Sequence, residues 1–570
     1  MIANLTFRPR LLDHLPSYTK ATLLADVSAG LTVAFVALPL ALAFAIASGL
    51  PPQTGLITAI VAGFLISALG GSSVQIGGPA GAFIVVVYAI VERYGIPNLL
   101  IATACAGLLM VLMGMLRLGG LIRLIPISIV LGFTSGIAVL IALSQIKDFL
   151  GLAGPAWPAE FFSKMEALID SIHTVDPTTS LLGLACVACI LLWPKSYNTQ
   201  PSLTGRIVSR LPGALIAIVA STIAVAVFSL PVETIGSRFG EIPRSLPMPT
   251  LPEFHWSTVQ FLFAPILTIA FLGAIESLLC ARVADGLVKE RHDPNQELMA
   301  QGVANMVSPL FGGFCATGTV ARTVTNIRSG GRSPISGMVH ALVLLAIVLG
   351  AAPLAEQIPL VALAATALVV AYNMGDWKAF KEMRSFSVAY QATLLSTFVL
   401  TIVVDITVAV EVGLVMACVV FIYRMSQLTK LEPLPDNELH ALGMSLPERT
   451  AVQRLSGVLF FGSVSRIEPL LDPTAQLPKN LVLDLSSLLS SDSSGLDALA
   501  QADAHLQGRG VRLVLADMRP NVLATMARLG FIDRFGSDRI FPTLRGALTA
   551  DPTDPSPPHR PADSSDPHGA

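Results

Sequence analysis

The chain has 570 residues, 53% of them hydrophobic and only 13% charged, with a mean hydropathy of +0.69. That excess excludes an ordinary soluble globular protein and demands many membrane spans. A formal net charge of −2 gives no ground for nucleic acid as a partner.

Residues 1–25 read as a short cytosolic lead-in with mixed charges, not as a cleavable signal. The transmembrane part is expected over 26–425, with apolar segments at 26–47, 54–69, 79–91, 98–116, 121–146, 181–193 and 211–230. A second set follows at 261–280, 297–311, 318–328, 336–352, 360–372, 387–404 and 406–423. The first is expected to break at Pro39, and the fifth carries Pro126. Basic residues fall in the loops expected inside: Arg117 and Arg123; Lys195, Arg206 and Arg210; Lys289 and Arg291; Arg328 and Arg332; Lys378, Lys381 and Arg384. The acidic stretch 147–176 and the segment 231–256 then lie outside. Seven spans per half is odd, so the second half enters with inverted orientation.

Two segments depart from the apolar pattern. Residues 72–83 read SSVQIGGPAGAF, and residues 312–332 read GGFCATGTVARTVTNIRSGGR. Each predicts a short extended piece running into a helix that is too short for a full crossing of ~20 residues. Pro79 fits a first helical position. Such helices leave unpaired N–H groups and a positive dipole end near the bilayer centre, the makings of an anion seat. The alternative is a loop between two spans that lies nearer the surface. Interrupted segments at corresponding places in two halves point to a transporter's substrate site.

Isolated polar residues in apolar sequence carry the remaining chemistry. Glu276 lies mid-span in ILTIAFLGAIESLLC, where an ionised carboxylate costs about 2.5–3.5 kcal/mol. It is either a functional acid or a hydrogen-bond partner for a neighbouring helix. Arg322, one turn into its half-helix, either supplies positive potential or is held by nearby carbonyls. Asp405 reads as a helix N-cap beside the nearby Glu411, and His340 as hydrogen-bonded core. All six cysteines fall in apolar stretches, so the CxxC of Cys186 and Cys189 reads as a buried pair and not as a metal or redox site. No Walker loop, Rossmann fingerprint or HExxH occurs, which argues against an enzyme, a cofactor and ATP-driven transport.

After Arg424 the composition changes. A linker is expected over 426–451, a soluble α/β domain over 452–550, and a disordered tail over 551–570. VLFFG, NLVLDL and VRLVLA read as strands, with helices at 495–506 and 520–529. Asp492 and Ser493 open the first of these helices, where both residue types serve as caps.

The stretches DVSAGLTVAFVALPLALAFAIASG, GGSSVQIGGPAGAF, LGAIESLLCARVADG and GGFCATGTVARTVTNIRSGGRSP, in this order, resemble the sulfate permease (SulP) family, which includes the solute-carrier-26 proteins. The resemblance covers nearly the whole chain. It implies an α-helical polytopic membrane protein: fourteen spans as two inverted seven-helix repeats, with a core and a gate domain. It places the anion between the third and tenth helices and makes the soluble part a STAS domain. The substrate-binding residues it implies are Phe44, Ala80, Gly81, Thr317, Gly318, Thr319, Val320 and Arg322, with Glu276 tied to cation coupling. Leu40 stands where many animal members have Gln, and Ala80 lacks a hydroxyl common in bacterial relatives, which leaves the anion open. Ser493 occupies the phosphoacceptor position of STAS-like antagonists. The implied function is secondary active transport of a small anion across a bacterial inner membrane, sulfate with H+ by preference. Bicarbonate, a C4-dicarboxylate, Na+ coupling, exchange and a channel are the alternatives. A homodimer with cytoplasmic termini and a regulatory partner at the STAS domain complete the expectation.

Overall fold

The computed structural model describes the chain apart from residues 1–6, 121–125, 155–156, 159, 194–212, 242–243, 252–254, 405, 442–445, 472–477 and 551–570. Arg123, Lys195, Arg206, Arg210, Asp405 and the tail expected to be disordered lie outside the described residues. The chain divides into two compact units, Met1–Leu414 and Val415–Ala570.

The first unit is helical, and each predicted apolar segment coincides with a helix. These are α1 (Lys20–Ala47), α2 (Pro52–Leu69), α3 (Phe83–Tyr94), α4 (Ile96–Met115), α5 (Ile127–Leu150), α6 (Pro177–Leu192) and α7 (Gly213–Phe228). The second set is α8 (Phe263–Val288), α9 (Pro294–Val307), α10 (Val320–Arg328), α11 (Ile335–Glu356), α12 (Leu360–Met374), α13 (Val388–Val403) and α14 (Ile406–Gln427), the last of which begins in the first unit and ends in the second. Among the described residues six helical stretches are long and apolar enough to cross a membrane, or seven if one bent pair counts as a single span.

Three expectations need correction. Helix α1 runs unbroken through Pro39, because in an apolar bundle one lost hydrogen bond costs less than freeing a whole turn of backbone. Pro126 stands ahead of α5 as its N-cap residue and does not interrupt it. Pro79 is not the first helical residue either. Its carbonyl accepts from Arg322 Nη2 at 3.2 Å instead of feeding a helix, and the first bonded turn runs from Phe83 N–H to Ala80 O at 3.1 Å.

Helix contacts rest on small residues. Gly107 of α4 and Gly302 of α9 face each other so closely that a Cβ on either would lie 2.5–2.6 Å from the other's carbonyl oxygen. Helix α11 lies against α1 and α2, whereas α12 and α13 lie against α5. Two short strands, β1 (Gly77–Gly78) and β2 (Thr317–Gly318), pair antiparallel inside this bundle, with Gly77 opposite Gly318. Near the start of α1 the buried Asp26 accepts from the Arg332 and Ser333 amides and from Tyr18 Oη at 2.8 Å. Burial, and then the hydrogen bond to the Asp26 carboxylate, pushes the Tyr18 phenol up to about 12, so it stays a donor throughout the physiological range.

The second unit holds a six-stranded sheet. Strand β3 (Lys430–Pro433) pairs antiparallel with β4 (Thr450–Leu459), followed in parallel by β5 (Asn480–Asp484), β7 (Arg512–Ala516) and β8 (Ile540–Phe541). Strand β6 (Leu488–Ser491) pairs with the far end of β4. The apolar face of α15 (Ser493–Gly508) contributes Leu496 and Leu499 to a core with Leu483 and Leu513. Helix α16 (Pro520–Arg528) adds Val522 and Met526 to the same core. Residues 426–451, expected as a linker, thus supply an edge strand.

Candidate anion site

The site forms where β1 and β2 cross. Antiparallel pairing sends the two chains in opposite directions, so α3 and α10 begin beside one another and run apart. The amides of Ala80, Gly81 and Ala82 precede the first bonded turn of α3. Those of Val320, Ala321 and Arg322 precede the first bond of α10, Thr323 N–H to Thr319 O at 3.0 Å. Free first-turn amides carry the partial positive charge of each helix dipole. Phe44 of α1 is buried, and its ring tip lies 3.7 Å from where a Cβ on Gly81 would stand. The Met374 sulfur and Ile141 line the same spot.

The predicted residues are gathered here, but not all of them offer a free donor. Thr319 gives both its amide and its hydroxyl to the Ile76 carbonyl, at 2.9 and 3.1 Å. The Thr317 hydroxyl donates to Gly273 O of α8 at 2.9 Å. Both threonines therefore build the seat without facing an anion as donors. A Cβ on Gly318 would fall 1.7 Å from Gln75 Nε2, so a larger residue there would have to displace the Gln75 side chain. Gly78, at φ +148°, would place a Cβ 2.2 Å from Arg322 Nη1. Val320 is half exposed, while Ala80 is buried.

Arg322 is the largest fully buried side chain among the described residues, at 1% exposure. Its Nη2 donates to Pro79 O, and its Nη1 has no partner among the described residues. A carbonyl thus fixes one nitrogen, and no carboxylate pairs with the guanidinium among the described residues. Buried cations of this kind favour an anion nearby.

Glu276 sits between two ties that bind α8 to the site. One is Thr317 to Gly273; the other is Cys280 Sγ to Thr323 Oγ1 at 3.3 Å. Positions 273, 276 and 280 share one helix face, so Glu276 lies on the side of α8 turned to β2 and α10. It is half-buried and makes no hydrogen bond or ion pair with the described residues. The expectation of a structural partner for a neighbouring helix is therefore not met. His340 also differs from expectation: it is buried core, but neither ring nitrogen has a partner among the described residues.

Several residues that hold the site together escaped the sequence reading. Asn305 receives the Ala316 amide and donates to its carbonyl, both at 2.8 Å. Glu297 accepts from the Gly71 and Ser72 amides, at 2.9 and 3.1 Å. Thr323 accepts from Ile76 N–H at 3.0 Å, and Asn326 donates to Val74 O at 2.9 Å. A signal was present. Glu297, Gln301 and Asn305 recur every four residues along α9, a polar stripe on one face of a buried helix.

In the second unit Asp492 caps α15, accepting from Gly495 N–H at 2.8 Å. Ser493 is exposed at the first helical position and takes no part in the cap.

Helices that stop inside an apolar bundle and turn their free amides towards one spot define a membrane transport protein. The profile of the sulfate permease family matches residues 23–397, and that of the STAS domain matches 444–547. The chain belongs to the sulfate permease family and carries a C-terminal STAS domain. The protein named "Putative sulfate transporter YvdB" of Bacillus subtilis (strain 168) is 38% identical over 519 residues, covering 90% of this chain and 95% of its own. The bicarbonate transporter BicA of a Picosynechococcus species is 34% identical over 413 residues, 71% of each chain. The solved transmembrane domain of a cyanobacterial BicA superposes with a TM-score of 0.61 at 34% identity, over 69% of this chain and 98% of that one. SLC26A9 shares the fold, with a TM-score of 0.80 at 18% identity over 94% of this chain and 91% of its own. The family consists of transporters and not enzymes, and its members are multi-pass membrane proteins.

Proposed function

We propose that the chain is a secondary active transporter that moves sulfate with protons. The observation that carries this reading is the β1–β2 crossing, which sets two helix starts and the uncompensated Arg322 around one buried spot. Amides and dipoles replace an anion's hydration without committing a full opposite charge at contact, which suits a ligand that must also leave. A likeness to YvdB supports sulfate; the likeness to BicA supports hydrogencarbonate as the second reading.

In this reading the helices form fourteen spans in two inverted repeats of seven, α3 matching α10. Helices α1–α4 and α8–α11 make the core; α5–α7 and α12–α14 make the gate, in keeping with the packing of α12 and α13 on α5. The protein sits in a bacterial inner membrane as a homodimer with both termini cytoplasmic. The STAS domain is a regulatory platform, and Ser493 is its phosphoacceptor. The seat comprises Phe44, Ala80, Gly81, Gly318, Val320 and Arg322.

Glu276 carries the coupling proton. Protonated, it removes a negative charge beside the incoming anion; on release, its carboxylate repels the anion from the seat. Its lack of a partner among the described residues leaves the carboxyl free to exchange protons. The test is uptake of labelled sulfate, hydrogencarbonate and succinate into proteoliposomes, with and without a pH gradient. Sulfate should accumulate only with the gradient, and Glu276→Gln should abolish that accumulation while retaining anion binding. Proton-driven uptake by Glu276→Gln at the wild-type rate would remove Glu276 from the mechanism.

A further inference from the structure

A cavity of about 350 Å³ opens beside the C-terminal half of α8 and the N-terminus of α9, and no seat residue lines it. Two guanidiniums line it, those of Arg282 and Arg291. Neither forms a hydrogen bond or ion pair with the described residues through its side chain. The Arg291 backbone is held in place, its carbonyl accepting from Arg10 Nη2 at 2.7 Å, so its head group remains uncommitted next to the cavity.

The third polar group is His292, whose side chain is only 5% exposed. Asp285 binds this residue twice: Oδ1 accepts the His292 amide at 3.0 Å, and Oδ2 lies 2.7 Å from Nδ1. The carboxylate thereby holds the proton on Nδ1 and orients the ring. While the ring is neutral, Nε2 is left as an acceptor, and it has no partner among the described residues. Asp285 keeps its negative charge while it accepts from the ring, so the two arginines against one carboxylate leave the cavity net positive. The cavity thus offers two charged donor forks and one oriented acceptor. That combination is specific. Oxygens bearing negative charge match the guanidiniums, and the acceptor requires a ligand that still carries an O–H.

We propose that this cavity is a second anion site, separate from the α3–α10 seat, for an oxyanion that keeps a proton near neutral pH. Hydrogenphosphate is the representative. Its charged oxygens accept from Arg282 and Arg291, and its O–H donates to His292 Nε2. Sulfate, fully deprotonated, meets the Nε2 lone pair with another lone pair and is disfavoured. The proposal does not depend on which anion the seat transports.

The test uses the full-length chain with the exposed Cys418 replaced by serine and Leu279→Cys as a reporter. Leu279 lines the cavity but is none of the proposed ligands. Its labelling by a cationic methanethiosulfonate is followed at pH 7.5 and constant ionic strength. Inorganic phosphate should slow labelling, and sulfate should need at least tenfold higher concentration for the same protection. Adding Arg282→Gln and Arg291→Gln should raise the phosphate requirement at least tenfold. His292→Phe should erase the preference for phosphate over sulfate. Absence of protection, equal protection by both anions, or protection that survives the double arginine change would each overturn the site. Val130→Cys, on the facing wall, gives the same readout should Leu279→Cys fail to fold. Because labelling reports the cavity alone, a transport assay that fails for sulfate leaves this result unaffected.

Discussion

The helix starts of α3 and α10, brought together by the β1–β2 pairing, are chemically unequal. The first turn of α3 is Ala80, Gly81, Ala82 and Phe83, with no polar side chain. The start of α10 carries Thr319, Arg322, Thr323 and Asn326, and all four bond to Val74, Ile76 or Pro79, the residues that flank β1 ahead of α3. One start therefore offers bare amides, while the other is also the scaffold that fixes them. The lesson is a division of labour. A ligand site inside a membrane needs its irregular backbone satisfied, and here one half supplies side chains for both.

The comparison breaks most severely at Gly78. A methyl there meets Arg322 Nη1 at 2.2 Å and a φ of +148° that alanine resists. Gly78→Ala should cost about 1–3 kcal/mol of stability and abolish transport. Gly81→Ala is the contrast, since its nearest neighbour would be Ile141 at 3.4 Å, ordinary contact. That variant should fold normally and only weaken anion binding. Melting temperatures and binding isotherms for the pair decide it; equal loss of fold in both would erase the asymmetry.

Arg322→Gln comes next. Removing a charged donor beside a bound anion costs about 1.5–3 kcal/mol, or roughly 10–150-fold in affinity. No side chain of α3 should show such an effect. Asn326→Ala should lower stability by about 1–3 kcal/mol through the orphaned Val74 carbonyl, and leave affinity within a few-fold. A larger loss of affinity than of stability would mean that α10 binds the ligand through more than its first turn.

These variants separate what the sequence discloses from what it hides. The helices were legible because apolar runs announce themselves, and the two breaks because Gly, Thr and Pro interrupt such runs. The soluble sheet was legible too, since NLVLDL and VRLVLA are bounded apolar runs of strand length. Strand β3 was not: Lys430–Pro433 is a mostly exposed edge whose pairing with β4 depends on no periodicity of its own. The roles within the site were hidden for another reason. Thr317 and Thr319 look like ligands in a motif, and only the register of β1 on β2 reveals that their hydroxyls are spent on backbone. Asn305 and Glu297 bond to segments far away in sequence, which no local pattern encodes.

The smallest expected effect is also the sharpest probe of the asymmetry. Ala80 is buried beside the seat, and its carbonyl already closes the first turn of α3. Ala80→Ser adds one hydroxyl to the start that has none. Placed at the residue that opens the helix, that hydroxyl has two uses. It can accept from a first-turn amide as an N-cap, which stabilises α3 by about 0.5–2 kcal/mol but withdraws a donor from the anion. It can instead donate to the anion, adding a net of about 0.5–1.5 kcal/mol, or roughly 2–10-fold in affinity. The second use should win when ligand is bound, because a hydrogen bond to a charged acceptor is about twice as strong as one between neutral groups. The expected outcome is therefore affinity raised 2–10-fold, with a melting temperature that rises in the absence of anion as well. Both are measurable on the purified protein by titration and thermal unfolding. Weaker binding with a higher melting temperature would mean that the bare amides of α3 are themselves what holds the anion, and that capping them removes the site.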